Sequence, residues 1–305
     1  MTQKEHPLVL VEKEGKIAHV TLNYPEKLNA FDFAGQGGLT DQLHSALEEL
    51  EQDLDVSVVV LKGSGRAFSA GHDLSKVGFV YDMKVPKPGE KLQDRPSQRV
   101  RLNVDREFMY HNYLKLLYYP KILIAQVHGY CVAEGLMVAA MCDMMITSET
   151  AKLGLTQQRL GFAGSGGASL AIFYLSMGLR RATEMILTGR TISGKDAERF
   201  GLAARAVPEK KLEETTNAMA ELVSLLPRDG VAVGKAARHL LFDAMGITNS
   251  FTIAYVTHTL FTNLKYEDDE FVFFKERRDQ GTTGAIRKRN ELWEQLLQKI
   301  YGPQE

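Results

Sequence analysis

Apolar positions follow three rhythms along the chain, and each predicts a different kind of element. Residues 8–11 and 18–22 are short apolar runs separated by Glu12, Lys13, Glu14, Gly15 and Lys16. That pattern predicts a strand pair around a glycine-containing turn, ended by Asn23-Tyr24-Pro25. From Leu39 the apolar residues recur at Leu43, Ala46, Leu47 and Leu50, the one-sided stripe of an amphipathic helix. Residues 58–61 are an unbroken apolar run, and 122–127 and 144–147 are apolar but for Gln126 and Thr147, as expected of buried strands. Helices are predicted over 103–117, closed by Pro120, over 136–141, and over 168–177 after a flexible turn holding Gly161, Gly164, Gly166 and Gly167. Ser193, three residues before Asp196, predicts a helix N-cap, and Gly201 the end of that helix. Beyond Pro208 helical stripes dominate, at 211–225, 231–245, 251–264, 268–278 and 287–297. Strand signal confined to the first two thirds and alternating with helices predicts an α/β core over residues 1–207 and a helical module over 208–305. No internal repeat is visible.

The stretch between Leu74 and Tyr119 is the least periodic, with Pro86, Pro88 and Pro96 and many charges from Glu90 to Arg106. A connection of this kind is either a lid over a site or a solvated excursion.

With 305 residues, 44% hydrophobic and 25% charged, the chain has enough apolar material for a large core, and disorder is not expected. A formal net charge of −1 gives no global attraction to nucleic acid or an anionic membrane, so neither is an expected partner. Cys131 and Cys142 are the only cysteines and share one apolar segment, which reads as reduced, buried thiols. The first twenty residues mix charges with short apolar runs, unlike a signal or transit peptide, and no apolar run reaches membrane-spanning length. The expected location is the cytoplasm. The histidines and cysteines lack metal-ligand spacing, so no metal site is predicted. From Gly189 to Lys195 the glycine and lysine spacing imitates a phosphate-binding loop, but Asp196 replaces the required Ser or Thr and the motif follows a helix.

Two stretches carry the candidate chemistry. Arg66-Ala67-Phe68-Ser69-Ala70-Gly71-His72-Asp73-Leu74 follows the run at 58–61 with small residues and two capping side chains. Val127-His128-Gly129-Tyr130-Cys131-Val132-Ala133-Glu134-Gly135-Leu136-Met137 again reads as a strand, a turn and a helix start. Turns of this type present backbone N–H groups to an anion, and two of them together can hold one oxygen. With Tyr24-Pro25-Glu26-Lys27-Leu28-Asn29-Ala30 and Cys142-Asp143, these stretches resemble the enoyl-CoA hydratase/isomerase (crotonase) superfamily, in order, spacing and residue type. The resemblance extends weakly to about Trp293. It implies a spiral of ββα turns followed by a helical C-terminal trimerisation module, hence a homotrimer or a dimer of trimers. It also implies an acyl-CoA substrate, with coenzyme A as part of that substrate and no separate cofactor. The implied oxyanion donors are the backbone N–H groups of His72 and Glu134. The implied coenzyme A contacts are main-chain groups of Ala70, His72, Asp73, Leu74 and Ser75. Lys27, or Arg287, Lys288 and Arg289 of a neighbouring subunit, would meet the phosphates.

The chain also departs from that family. Where its hydratases carry two glutamates, this sequence has Met137 and Gln157, and neither can act as an acid or base near neutral pH. Glu134 stands where the family has a small residue. On a helix it shares a face with Met137, so its carboxylate is a candidate proton shuttle, unless it turns to solvent or pairs with a cation. The His72 imidazole is either catalytic or space-filling, and His128 reads as a hydrogen-bonded structural residue. Asp143 reads as a strand-start cap, and Met137, Met141, Met144 and Met145 as core filler. Tyr81 and Asp82 contribute only if the irregular stretch covers the cleft. Three functions follow: an acyl-CoA enzyme using oxyanion stabilisation for isomerisation, C–C cleavage, decarboxylation or thioester hydrolysis; a catalytically silent acyl-CoA binder; or a hydratase with relocated groups such as Glu134.

Overall fold

Strands β1 (Val9–Glu14) and β2 (Ile17–Leu22) run antiparallel with Val9 opposite Leu22. They open a computed structural model that describes residues 6–32, 37–76, 87–91, 96–161, 170–261 and 264–302. Strands β3 (Val58–Gly63), β5 (Ile122–Val127), β7 (Met144–Ser148) and β10 (Arg205–Val207) extend this pair into a six-stranded sheet in the order β1-β2-β3-β5-β7-β10. All its pairings after the first are parallel. These largely apolar runs have the expected cause. In β3, Val59 and Leu61 enter the main core, while Val58 and Val60 join Ile17, Ile122, Ile124, Ile146, Leu212 and Ala220 on the other face.

A second sheet of three-residue strands lies beside the first: β4 (Ala67–Ser69), β6 (Tyr130–Val132), β8 (Lys152–Gly154) and β9 (Thr191–Ser193), in that order. After the first hairpin, three successive turns of chain each place one strand in the large sheet and the next in the small one, then leave by a helix. Thus β3 and β4 precede the helical run 98–117, β5 and β6 precede α4 (Glu134–Met141), and β7 and β8 precede α5 (Leu170–Met177) and α6 (Leu179–Thr188). Parallel stacking of β4 on β6 on β8 makes these turns a spiral. The small strands are too short to show alternation: β4 and β6 fall within the two stretches that read as turns, and β8 and β9 carry no strand signal.

The helical stripe from Leu39 becomes α1 (Leu39–Gln52), which buries Leu39, Leu43, Ala46, Leu47 and Leu50. Helix α2 (Gln98–Arg106) passes through a π-helical turn at Glu107–His111 into α3 (Asn112–Leu117), so the predicted helix 103–117 starts earlier and is widened midway. Ser193 caps α7 (Gly194–Phe200) by accepting from the Asp196 amide, and Gly201 ends it in the left-handed region. Next come α8 (Glu209–Ser224), packed on the outer face of the large sheet, α9 (Arg228–Ala244) and α10 (Ile247–Phe261). The two last predicted helices are one element, α11 (Phe273–Tyr301), interrupted at Gly281. Helix α10 lies along α2 and the π turn of the same chain. Among the described residues no helix is long and apolar enough to cross a membrane. Cys131 and Cys142 are unbridged; burial pushes the first thiol up and the second to about 12.

Candidate active site

Register in the small sheet brings the two sequence stretches together. Ser69 pairs with Cys131, so the residues after β4 and β6 leave the sheet side by side. Two close approaches hold them there. A Cβ on Gly71, at φ +87°, would lie 2.9 Å from the Ala133 Cβ and 3.3 Å from the Glu134 nitrogen. One on Gly135 would lie 2.7 Å from both the Ser69 carbonyl oxygen and its Cβ. Ala133, the residue before α4, adopts φ 49° and ψ −117°, a conformation that a side chain disfavours.

Below these turns lies the Tyr24–Ala30 motif. Asn29, fully buried, accepts from the Tyr24 amide and donates to the Ser64 and Ala67 carbonyls, while its own carbonyl accepts the Ser69 hydroxyl. The Ala70 amide donates to Leu28 and the Asp73 amide to Phe31, while the Phe31 amide donates to Gly71. Because the bridge at Phe31 uses the Gly71 carbonyl and the Asp73 amide, the His72 amide between them faces the other way. At the start of α4, the Glu134 amide lies in the first turn, where no intrahelical acceptor exists.

Glu134 is turned inward, 8% exposed. Its Oε2 lies 3.2 Å from His72 Nε2 and accepts the Tyr113 hydroxyl. The same hydroxyl is 3.5 Å from the Met137 sulfur. His72 Nδ1 lies 3.4 Å from the Phe31 carbonyl oxygen, and its ring packs on Phe108, 4.9 Å away, which belongs to the π turn. The imidazole therefore does more than fill space: it faces a carboxylate and a carbonyl at once. Burial, then the Glu134 charge, raise the Tyr113 phenol well above its ordinary range, so it remains protonated and donates.

The other predicted site residues are more dispersed. Lys27 Nζ is 3.7 Å from Asp73 Oδ2, whose partner oxygen takes the Ser75 amide and hydroxyl. Leu74 packs against the small cluster of Leu160, Phe273 and Ala285, and its carbonyl accepts from Arg277. Gln157 lies in the 3-10 turn Thr156–Leu160, and its buried Oε1 has no partner among the described residues. Arg289 donates to the Arg159 carbonyl and Lys288 pairs with Glu276, both within the chain. His128 Nε2 is 3.0 Å from the Gly65 carbonyl oxygen. Asp143 ties the Leu123 amide to Lys235 and Arg238 of α9, a wider role than a strand cap. Tyr81 and Asp82 lie outside the described residues. Tyr113 was missed by sequence reasoning, which had it only as part of a helix. Among the described residues no group of three or more His, Cys, Asp or Glu is placed to hold a metal ion.

Residues 12–284 match the sequence profile of the enoyl-CoA hydratase/isomerase family. A hydroxycinnamoyl-CoA hydratase-lyase of Pseudomonas fluorescens is 34% identical over 76% of each chain. The "Probable enoyl-CoA hydratase, mitochondrial" of Dictyostelium discoideum is 29% identical over 92% of this chain and 89% of its own. A crystal structure of an enoyl-CoA hydratase from Mycobacterium smegmatis superposes with a TM-score of 0.77 at 26% identity, covering 93% of this chain and 94% of that one.

Proposed function

Because the chain belongs to the enoyl-CoA hydratase/isomerase family, whose members act on acyl-CoA thioesters, we propose that it moves a proton on an acyl-CoA whose carbonyl oxygen is held by the His72 and Glu134 backbone amides. The observation that carries this reading is the His72–Glu134–Tyr113 cluster, with Nε2 and Oε2 only 3.2 Å apart beside the two turns. Negative charge collecting on the thioester oxygen is met by fixed amides, each worth about 3–4 kcal/mol in a dry cleft. The Glu134 carboxylate takes a proton from carbon or returns one to it, Tyr113 holds that carboxylate in place, and His72 exchanges the proton over one hydrogen bond.

One proton carrier suits isomerisation, or C–C cleavage and decarboxylation that end with an enolate taking up a proton. Met137 and Gln157 carry no ionisable group, which disfavours hydration by two carboxylates at those positions. A hydratase working through Glu134 alone, or a silent acyl-CoA binder, is the rival reading. The name of the Pseudomonas relative joins hydration with a lyase step on an aromatic acyl-CoA, so aromatic thioesters belong among those tested.

Incubation with enoyl-, branched and aromatic acyl-CoAs in D2O, read by mass spectrometry, tests the proposal. The expected result is deuterium in substrate or product, with Glu134→Gln lowering that rate by about 10²–10⁴-fold while acyl-CoA still binds through main-chain amides. Binding with neither exchange nor product supports the silent reading; a mass gain of one water supports the hydratase. Undiminished turnover in Glu134→Gln overturns the role of the carboxylate. Self-association belongs to the same reading and is supported by Leu240, Leu241, Ile253 and Leu260, all more than half exposed on α9 and α10. Light scattering is expected to give the mass of a trimer or hexamer.

A further inference from the structure

Beside Glu134, residues of α1, α3 and α4, together with Phe31, line a small cavity of about 10 Å³. That is close to the space one water molecule requires. Phe31, Leu43, Leu116 and Val138 form its apolar wall; Thr40, His44, Asn112, Tyr113 and Glu134 supply the polar groups. Asn112 is 7% exposed, and its Nδ2 has no hydrogen-bond acceptor among the described residues. A buried amide N–H is seldom left in that condition, and a cavity with several polar neighbours is where an ordered water resolves it.

We infer that this cavity holds one water, and that Asn112, the water and His44 form a proton path between Glu134 and solvent, separate from His72. The inference rests on the proposed role of Glu134 as proton carrier. Asn112 donates to the water oxygen and fixes its place. The water then stands between the Glu134 carboxyl group and the His44 ring. In one relay step, the proton on Glu134 passes to the water oxygen, a proton of the water passes to one nitrogen of His44, and the proton on the other ring nitrogen leaves to solvent. Water is regenerated, Glu134 is again a carboxylate, and the starting tautomer of His44 returns when the outward nitrogen takes a proton from solvent and the inward nitrogen gives one up.

Such a relay needs a neutral ring with one bare nitrogen. Burial, together with Lys115 of α3, pushes the His44 pKa down to about 4, against the opposing charges of Glu48 and Asp41 on α1 and Glu134 on α4. The residue is largely buried but not sealed from solvent, and the relay assigns its second ring nitrogen to the outward side. The consequence is chemical. With this route open, a proton taken from the acyl group is replaced from the medium before it returns; with it closed, that proton stays between Glu134 and His72 and goes back.

Two measurements test this on the intact protein. A high-resolution crystal structure without substrate is expected to show a water within hydrogen-bond distance of Asn112 Nδ2 in the wild type and none in Asn112→Leu. A dry cavity overturns the inference. Second, deuterium uptake from D2O is compared with unlabelled turnover across the acyl-CoA panel. In His44→Gln and Asn112→Leu, uptake per turnover is expected to fall at least about tenfold, with added imidazole restoring it in His44→Ala. Packing changes alone would lower both rates together and would not respond to imidazole. Uptake lost in Glu134→Gln but unchanged in the His44 and Asn112 variants overturns the relay alone. Absence of any exchange or turnover in the wild type overturns the catalytic role of Glu134 and the relay with it.

Discussion

At the scale of single residues, the site depends on a carboxylate that is buried yet supplied with donors. Tyr113 is the donor whose loss is easiest to isolate, since Tyr113→Phe keeps the ring against Phe108 and Phe251 and removes only the hydroxyl. The expected cost is about 1.5–3 kcal/mol of stability, the usual worth of a hydrogen bond to a buried charge, read by urea unfolding at neutral pH. His44 gives a pH test. The unfolded chain binds a proton near the ordinary histidine value of 6.5, whereas the folded chain resists until about 4, so between these values the unfolded state holds more protons. Stability should therefore decline as pH falls from 6.5 to 4, by up to about 3 kcal/mol, and be fully present above 6.5. His44→Gln should flatten that slope in unfolding curves taken across the window. His72 and Glu134 were legible in the sequence because both sit in turns with a recognisable residue order. Tyr113, Asn112 and His44 were not, because nothing local in an amphipathic helix says which of its buried residues faces a carboxylate on another turn of the spiral.

At the scale of elements, the site is made by how closely the ends of β4 and β6 approach. Gly135→Ala drives a Cβ to 2.7 Å from the Ser69 backbone and side chain, where neither can yield without moving β4. A loss of about 1–3 kcal/mol is expected, the range for an extra methyl forced into a packed site. Activity should fall further than stability does, because the displaced strand carries the His72 turn. Ala133 makes the opposite prediction. At φ 49° and ψ −117° its side chain strains the turn, so Ala133→Gly should raise stability by up to about 1 kcal/mol after the entropy of glycine is discounted, measurable as an increase in the denaturation midpoint. The long strands and the helices were legible from apolar runs and stripes. The second sheet was not, because its strands are three residues long and its pairing is decided by stacking of successive spiral turns.

At the scale of the whole molecule, the C-terminal helices are joined to the site through one continuous helical run. Helix α10 lies on α2 by way of a buried polar knot: Asp105, 2% exposed, accepts the Thr259 hydroxyl at 2.6 Å and faces His258 Nδ1 at 3.1 Å, while Arg101 donates to the Thr259 carbonyl. From Asp105 the chain enters the π turn that sets Phe108 against His72, then α3, which brings Tyr113 to Glu134. A surface pair such as Lys13–Asp53 contributes little, because water and salt screen it, so Asp53→Ala should leave both stability and activity nearly unchanged. Asp105→Ala differs in kind: it takes a buried carboxylate away from the Thr259 hydroxyl, which keeps its bond to the Tyr255 carbonyl of its own helix, and from the neighbouring His258 ring. A loss of about 1.5–3 kcal/mol is expected, the usual worth of a hydrogen bond to a charged group. The decisive quantity is activity per folded molecule at a temperature where the variant is still native. If the helical run transmits the change, that specific activity falls and binding of acyl-CoA weakens less than turnover does, because the backbone amides stay in place while the carboxylate loses its frame. A variant that unfolds more easily but turns over normally while folded would show that the C-terminal helices support the core without setting the site.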